Sequence, residues 1–152
     1  MMKVTRMEME DIDDLVVMTR NQIEETVSHL AYEERVVRHY AKWFVQNKKS
    51  DDRVYIAREN GVAVGYLVAY KRSYLFNYGC FVGQEVVWVE PEHRGGKAFI
   101  ALMKVLDDMA VEHNAKECYA GVSNGVSIDK LLQWFKRKNF TKVGYYVKKI
   151  YT

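Results

Sequence analysis

The stretch His93 to Ala98, which reads HRGGKA, has the residue types of an anion-binding turn. Gly95 and Gly96 allow the backbone to turn sharply, so that successive N–H groups can surround one concavity at the start of a helix. Arg94 and Lys97 add positive charge at the same place. A phosphate group there would meet backbone dipoles, a guanidinium and an ammonium. A tight strand-to-helix connection explains the two glycines equally well, because a short glycine-rich turn is a weak motif.

The residues on either side of this turn predict a buried strand and a long helix. Val86 to Val89, which includes Trp88, is the apolar and mostly β-branched run expected of a strand covered on both faces. Pro91 is expected to end the strand, because proline has no N–H to give to a ladder. Apolar residues then recur at helical spacing, at Ala98, Leu102, Val105, Leu106 and Met109. We therefore expect the helix to pack one face against a sheet.

The segment PEHRGGKAFIALM, residues 91 to 103, is similar to motif A of the GNAT-type N-acetyltransferase superfamily. In that family a Q/R-x-x-G-x-G/A loop after the fourth strand binds the pyrophosphate of acetyl-CoA. His93, Gly96 and Ala98 fit the three specified positions if histidine replaces the usual first residue. Alternatively, Arg94 is the first residue of a loop that is one residue shorter. The segment also resembles the small acetyltransferases of bacteriophages.

A second resemblance lies near the C-terminus. Residues Ser123 to Phe140 are similar to motif B of the same family, in which N-x-x-A precedes a helix, a tyrosine and Gly-Phe. Asn124 takes the place of the asparagine, Phe135 occupies the tyrosine position, and Asn139-Phe140 replaces Gly-Phe. The whole resemblance covers roughly Val62 to Tyr151. It implies a mixed α/β fold with a mostly antiparallel sheet of six to seven strands, about four helices, and a parallel β-α-β unit at the cofactor site.

Periodicity along the chain predicts the other elements of such a fold. They are strands at Val4 to Met7, Arg53 to Arg58, Val62 to Tyr70 and Lys116 to Ala120, helices at Asp11 to Arg20, Tyr32 to Gln46 and Ser127 to Asn139, and a strand-like end at Phe140 to Tyr151. The last helix is expected to bury Ile128, Leu131, Leu132 and Phe135. Asn60-Gly61 favours a type I′ turn, and Gly65 indicates a bulge or a close backbone approach.

An aromatic-rich segment, Lys71 to Gly83, is expected to form a surface loop. Its aromatic residues are Tyr74, Phe76, Tyr78 and Phe81. Exposed aromatic side chains at that density usually pack on something. A satellite core, a homodimer contact and a wall of an acceptor site all remain open.

Length and composition indicate one domain spanning residues 1 to 152. A chain of 152 residues with 49% apolar content and dispersed charge suits a single core. A net charge of +3 is too small to indicate nucleic-acid binding. The two cysteines are too few for a disulfide framework and lack the spacing of metal ligands, so no metal is expected. Without a signal peptide or a membrane-length apolar run, a cytoplasmic protein is expected, in the host cytoplasm if it is phage-encoded.

The resemblance implies that an acetyl group passes from acetyl-CoA to a small-molecule or peptide amine by direct attack in a ternary complex. Glu85 is the candidate base, because it lies on the strand leading into the turn beside apolar residues; an edge glutamate without a role is the alternative. The family implies that backbone N–H groups at Val87, Trp88 and Val89 meet the thioester and pantetheine.

The proton donor for the leaving thiolate cannot be chosen from the residue types. The family uses the motif B tyrosine, but Phe135 has no hydroxyl. Tyr119, Tyr145, Tyr146, a water molecule or no acid at all remain open. Phe135 also favours a second hypothesis, a non-catalytic CoA-binding or protein-interaction module. A third, nucleic-acid binding through lysines alternating with aromatics in Tyr145 to Tyr151, is weaker, because half-exposed strands show the same alternation.

Overall fold

The computed structural model describes residues 1–121, 128–144 and 146–151. Its strands are β1 (Met2–Arg6), β2 (Asp52–Glu59), β3 (Val62–Ser73), β4 (Cys80–Val89) and β5 (Glu117–Tyr119). Its α-helices are α1 (Ile12–Thr26), α2 (Glu34–Gln46), α3 (Lys97–Glu112) and α4 (Ile128–Arg137). Short 3₁₀ turns lie at Met9–Asp11 and Pro91–His93. The chain forms two compact units, residues 1–121 and 122–152.

The first unit contains one mixed sheet in the order β1-β2-β3-β4-β5. Neighbouring strands from β1 to β4 are antiparallel, while β4 and β5 are parallel and are joined through α3. The predicted mixed α/β fold with a parallel β-α-β unit is therefore confirmed. The described residues form five strands instead of the six to seven expected.

The missing strand is the predicted one at the C-terminal end. Residues 140–144 and 146–151 lie outside any strand in the part of the chain that the structure describes. Their tyrosines and β-branched residues fit a pleated surface, but such a preference makes a strand only where a neighbouring strand pairs with it. The prediction of a strand was therefore wrong for these residues.

The β2–β3 hairpin agrees with the prediction from its turn. Asn60 and Gly61 have φ angles of 51° and 83°, and a type I′ turn requires positive φ at both positions. Gly65 lies opposite Ala57, next to a one-residue irregularity in the ladder. A Cβ atom on Gly65 would lie 2.6 Å from the carbonyl oxygen of Trp88, so both the bulge and the close approach are present.

The predicted loop from Lys71 to Gly83 is mostly strand. β3 and β4 continue their ladder outward to the pair Ser73 and Cys80, which leaves residues 74–79 as the loop. Gly83, the last residue of the predicted loop, lies inside β4 opposite Tyr70. Its added Cβ would meet the Tyr70 ring at 2.3 Å, so glycine is required by this close contact and not by a turn.

The sheet buries apolar side chains on both faces. α1 and α2 cover one face, where the core comprises Met7, Ile12, Leu15, Val16, Met18, Ala41, Val54, Ile56, Tyr66 and Trp88. Tyr55 and Ala57 alternate with the β2 members of that cluster and are buried on the opposite face. α3 runs across β1 to β4 and buries Ala98, Leu102, Met103, Leu106 and Met109. The prediction that α3 packs one apolar face on the sheet is confirmed.

The second unit contains α4 and a small aromatic core. Phe135 is buried, with its ring centroid 5.4 Å from that of Trp134 and 5.2 Å from that of Phe140. Asn139 has a φ of 64°, as predicted for the residue that stops this helix. Leu132, expected on the buried face, is exposed, and the described core of this unit gathers around Trp134, Phe135 and Phe140. Ser127 lies outside the described residues, as does the Ile128 side chain.

Membrane insertion is not indicated by any described helix. None of them combines the length and the apolar character needed to cross a bilayer.

Candidate active site

The turn between β4 and α3 begins where the strand reaches Glu90. The Glu90 N–H donates to the Val64 carbonyl at 2.8 Å, the last ladder-like contact of this segment. Pro91, which was predicted to end the strand, opens a 3₁₀ turn in which the His93 N–H donates to the Glu90 carbonyl. The chain then enters α3 through Gly96. We call residues 93–98 the glycine turn.

The glycine turn presents backbone N–H groups at the start of a long helix. Gly96 has a φ of 98°, a left-handed conformation that favours glycine. The helical hydrogen bonds begin with the Ile100 N–H, which donates to the Gly96 carbonyl at 2.9 Å. The N–H groups of Lys97 and Ala98 therefore have no partner within the helix and lie at its positive end. A Cβ atom on Gly95 would meet nothing within 4 Å, so there is room beside these donors for an anion.

The two basic residues of the glycine turn have different roles. The guanidinium of Arg94 donates from Nε to the Val89 carbonyl at 2.9 Å and from its two terminal nitrogens to Glu25 at 2.8 and 3.0 Å. It also stacks 4.7 Å from the Trp88 ring centroid. The charge that was expected to face an anion is thus paired with α1. Lys97 is exposed and makes no ion pair with any other described residue, so it is the cation that remains available.

His93 lies beside an acidic partner. Its Nδ1 is 3.3 Å from a carboxylate oxygen of Glu59 at the end of β2. This contact ties the start of the glycine turn to the β2–β3 hairpin. The side chain therefore points towards the end of β2, whereas the turn's backbone donors lie at the start of α3.

Glu85 is the extra residue of a bulge in β4. Val68 pairs with Val86 and Ala69 pairs with Gln84, which leaves Glu85 without a partner on β3. A bulge bends a strand and redirects its side chains. The Glu85 side chain is exposed, so the apolar surroundings expected from its sequence neighbours are not found.

β4 separates from β5 immediately before this bulge. The parallel ladder covers only Phe81 to Gly83 of β4. At the next residue, side-chain hydrogen bonds replace the backbone ladder. Gln84 Nε2 donates to the Gly121 carbonyl at 2.9 Å, and Gln84 Oε1 accepts from the Gly121 N–H at 3.3 Å. Beyond Gln84, no described strand pairs with this edge of β4. We call this opening the fork.

The open edge of the fork leads directly into the glycine turn. Val87, Trp88 and Val89 pair with β3 on one side and leave their other backbone edge free of β5. Their side chains contribute little to that edge, since Trp88 is buried in the core. An extended polar ligand with an anionic end can therefore form strand-like hydrogen bonds along β4 and reach the donors of α3.

Glu90 is a buried carboxylate that the sequence reading did not identify. Only 7% of its surface is exposed, and both carboxylate oxygens accept from the Asn21 side-chain amide, at 3.0 and 3.1 Å. Burial, followed by the charges of Tyr32 and Glu90, raises the pKa of the Tyr66 hydroxyl above its usual value. The signal was present in the sequence, because Glu90 is two residues from the core residue Trp88 and so shares its face of the strand.

The remaining candidate residues lie in β5, in the second unit or outside the described residues. Asn124 and Tyr145 are not among the described residues. Phe135 belongs to the core of the second unit. Of the proposed proton donors, the Tyr119 hydroxyl donates to Glu117 at 3.3 Å and the Tyr146 side chain is exposed. Among the described residues no three acidic, histidine or cysteine side chains lie close enough together to bind a metal.

Solved structures of several acetyltransferases share this fold. The ribosomal-protein-alanine N-acetyltransferase from Brucella melitensis biovar Abortus 2308 is 18% identical, with a TM-score of 0.71 over 99% of each chain. A possible acetyltransferase from Clostridium difficile 630 is 14% identical, with a TM-score of 0.74 over 99% of this chain and 97% of that one. AAC(6')-Iy, in complex with the bisubstrate analog CoA-S-monomethyl-acetylneamine, is 17% identical, with a TM-score of 0.71 over 99% of each chain. At these identities the likeness concerns the fold alone.

The sequence itself matches a family model. The model described as the acetyltransferase (GNAT) family covers residues 18–129, which include β4, the glycine turn and α3. Curated protein sequences show no significant match to this chain. Since the family model covers well over half of the residues, the chain belongs to the acetyltransferase (GNAT) family.

Proposed function

We propose that this protein is an acetyl-CoA-dependent N-acetyltransferase that transfers the acetyl group to an amine by direct attack in a ternary complex. The observation that carries the proposal is the continuity of the open β4 edge with the left-handed Gly96 and with the N–H groups of Lys97 and Ala98 at the start of α3. The GNAT family generally uses acetyl-CoA, and AAC(6')-Iy was solved with a CoA-containing bisubstrate analog. Both support the same cosubstrate here.

The residues of the first unit fit the parts of acetyl-CoA in order along the chain. The N–H groups of Lys97 and Ala98 and the exposed ammonium of Lys97 suit a pyrophosphate. The β4 edge at Val87 to Val89 suits the amides of the pantetheine arm. Asn124 and Phe135 remain proposed contacts from the resemblance to motif B.

Two groups of β4 are proposed to act on the acceptor and on the acetyl carbonyl. The thioester supplies an activated acetyl group and a thiolate leaving group. A backbone N–H at Val87 to Val89 donates to the carbonyl oxygen as negative charge develops there. Glu85 removes a proton from the acceptor ammonium, directly or through water, so that the neutral amine can attack.

Glu85 is preferred to Glu90 as the base because an acceptor can reach it. Glu85 is exposed on the bulge where β4 parts from β5. Glu90 is buried, and its carboxylate is held by Asn21 of α1. We propose that Glu90 positions α1 beside the glycine turn.

The proposal requires no dedicated acid. Phe135 has no hydroxyl, and its ring packs in the core of α4 with Trp134 and Phe140. The thiolate of CoA is a fair leaving group at neutral pH, so its departure without a protein proton donor is consistent with activity.

Thermal unfolding with acetyl-CoA, followed by an amine screen, tests the proposal. Acetyl-CoA at millimolar concentration should raise the melting temperature, and at least one amine should give thiol release above the hydrolysis background. No thermal shift would overturn cofactor binding. A shift without release for any amine class would favour the non-catalytic CoA-binding module.

A further inference from the structure

Five aromatic side chains form a continuous surface at the outer ends of β3, β4 and β5, which we call the aromatic face. They are Tyr70, Tyr74, Phe76, Phe81 and Tyr119. Phe81 is central, with its ring centroid 5.1 Å from that of Tyr74, 5.7 Å from that of Tyr119 and 6.3 Å from that of Tyr70. The Phe76 ring centroid lies 5.5 Å from that of Tyr74. Phe76 and Tyr119 are exposed, at 86% and 39%, while the other three rings are half-buried. Exposed aromatic groups of this extent mark a binding surface.

The aromatic face adjoins the fork. Gly83 pairs with Tyr70 on β3 and with Tyr119 on β5, and it is two residues from the bulge at Glu85. Because Gly83 has no side chain, the Tyr70 ring can lie across the β4 backbone at a distance that a Cβ atom would forbid. The rings therefore continue without interruption to the point where β4 leaves β5.

The charges on this surface leave an excess of carboxylates. Arg72 stacks 5.0 Å from the Tyr70 ring centroid, and its charge is paired with Asp52 at 2.5 Å. Glu85 lies close enough to Arg72 to contribute to raising the pKa of that guanidinium, after the larger effect of Asp52. Glu117 accepts hydrogen bonds from the Tyr74 and Tyr119 hydroxyls, which are neutral groups and leave its negative charge uncompensated. Among the residues that the structure describes, neither Glu85 nor Glu117 forms an ion pair of its own, and the two carboxylates lie at separate places along the aromatic surface.

We infer that the aromatic face binds a second, distal cationic group of the acceptor, so that extended aliphatic di- and polyamines are the preferred substrates. A cation over tyrosine and phenylalanine rings is attracted to their faces, and a neighbouring carboxylate adds to that attraction. The inference rests on the proposed function, because it assumes that the reacting amine lies at Glu85. Glu117 lies beside Phe81 in the parallel ladder, and Glu85 follows Phe81 by four residues on β4. Along the strand direction the two carboxylate positions are therefore about 13 Å apart. A long flexible diamine can span that distance.

The test compares two probes that differ by one ammonium group, diaminooctane and octylamine. Binding of each to the protein saturated with CoA is measured by calorimetry, without any need for turnover. The wild-type protein should bind the diamine about tenfold more tightly than the monoamine. Glu117→Gln should reduce that ratio close to one. Glu10→Gln makes the same change of charge at an exposed glutamate before α1 and should leave the ratio unchanged.

A second variant keeps the inference testable if loss of Glu117 disturbs folding. Phe81→Leu retains an apolar side chain on β4 but removes the central ring, and it should also lower the ratio. Equal binding of the two amines by the wild-type protein would overturn the inference. So would sedimentation showing a wild-type dimer that Phe81→Leu dissociates, because the face would then be a contact between copies. Failure of acetyl-CoA to bind is a separate result, which overturns the proposed function; the amine preference is then measured on the protein without CoA.

Discussion

Arg94 and Glu25 are joined by two parallel hydrogen bonds, 2.8 and 3.0 Å long, that connect the glycine turn to the last turn of α1. The pair is reinforced on either side, by the Val89 carbonyl that accepts from Arg94 Nε and by the Trp88 ring beneath the guanidinium. Arginine suits this position because its planar fork can satisfy a carboxylate and stack on an indole at once. Arg94 therefore holds the turn in place and does not supply an unpaired charge to a phosphate.

The first prediction separates these two roles of Arg94. If Arg94 were a phosphate ligand, Glu25→Gln would release its charge and tighten acetyl-CoA binding. We expect the reverse: Glu25→Gln and Arg94→Gln each weaken binding by about 1 kcal/mol, and the double variant is no weaker than either, as for residues that act as one unit. Calorimetry on the four proteins measures the coupling. Additive losses of acetyl-CoA affinity in the double variant, or tighter binding by Glu25→Gln, would show that the Arg94–Glu25 pair does not act by holding the turn in place.

The second prediction concerns the left-handed glycine of the turn. Gly96→Val should abolish the stabilisation by acetyl-CoA, which at a hundred times the dissociation constant amounts to about 2.7 kcal/mol. Gly61→Val is a matched control, because Gly61 also has positive φ and nearly open surroundings but lies in the β2–β3 turn. Both variants should unfold at lower temperature, and only Gly61→Val should regain stability with acetyl-CoA. Normal binding by Gly96→Val would mean that the turn is misassigned.

The third prediction tests the fork. Gln84→Met keeps the length of the side chain but removes both hydrogen bonds to Gly121. The N–H groups at the start of α3, which are proposed to bind the pyrophosphate, are untouched by this change. Acetyl-CoA affinity should therefore change little, while misplacement of the acetyl group should lower kcat about tenfold. Gln84→Glu keeps one acceptor for the Gly121 N–H and should be intermediate. Steady-state kinetics beside calorimetric affinity measures both effects, and an unchanged kcat would remove the fork from the catalytic geometry.

The sequence predicted best those features that depend on local chemistry. The Asn60-Gly61 turn, the break at Pro91 and the left-handed stop at Asn139 each follow from one or two residues. Most of the contacts that define the site do not follow from neighbouring residues. Arg94 meets Glu25 across 69 positions of the chain, a pairing that no local pattern can reveal.

Two errors share a physical cause. The segment from Lys71 to Gly83 was predicted to be a loop, although most of it pairs between β3 and β4, and the missing side chain of Gly83 is needed where a ring from β3 crosses β4. The alternating residues after Phe140 suggested a strand, although strand formation depends on a partner. In both cases tertiary contacts decide the structure, and a single residue type is compatible with either result.

The fourth prediction distinguishes the two carboxylates of β4. Glu85→Gln should lower kcat/KM by about a hundredfold or more and remove the acid limb of its pH profile, because a general base is lost. Glu90→Gln keeps the shape of a buried side chain and its contact with Asn21. It should change melting temperature more than the pH profile. The opposite pattern, in which only Glu90→Gln removes the acid limb, would transfer the role of base to Glu90.

The fifth prediction concerns Phe135, which is 6% exposed and packs between Trp134 and Phe140. Phe135→Tyr restores the hydroxyl of motif B, but within this apolar core it would bury a polar group, at a cost of about 1–3 kcal/mol. We expect a lower melting temperature and an unchanged rate per folded molecule, with Phe140→Tyr as a control in the same core. Unchanged stability together with faster turnover, or a shifted alkaline limb, would instead assign position 135 to the departing thiolate.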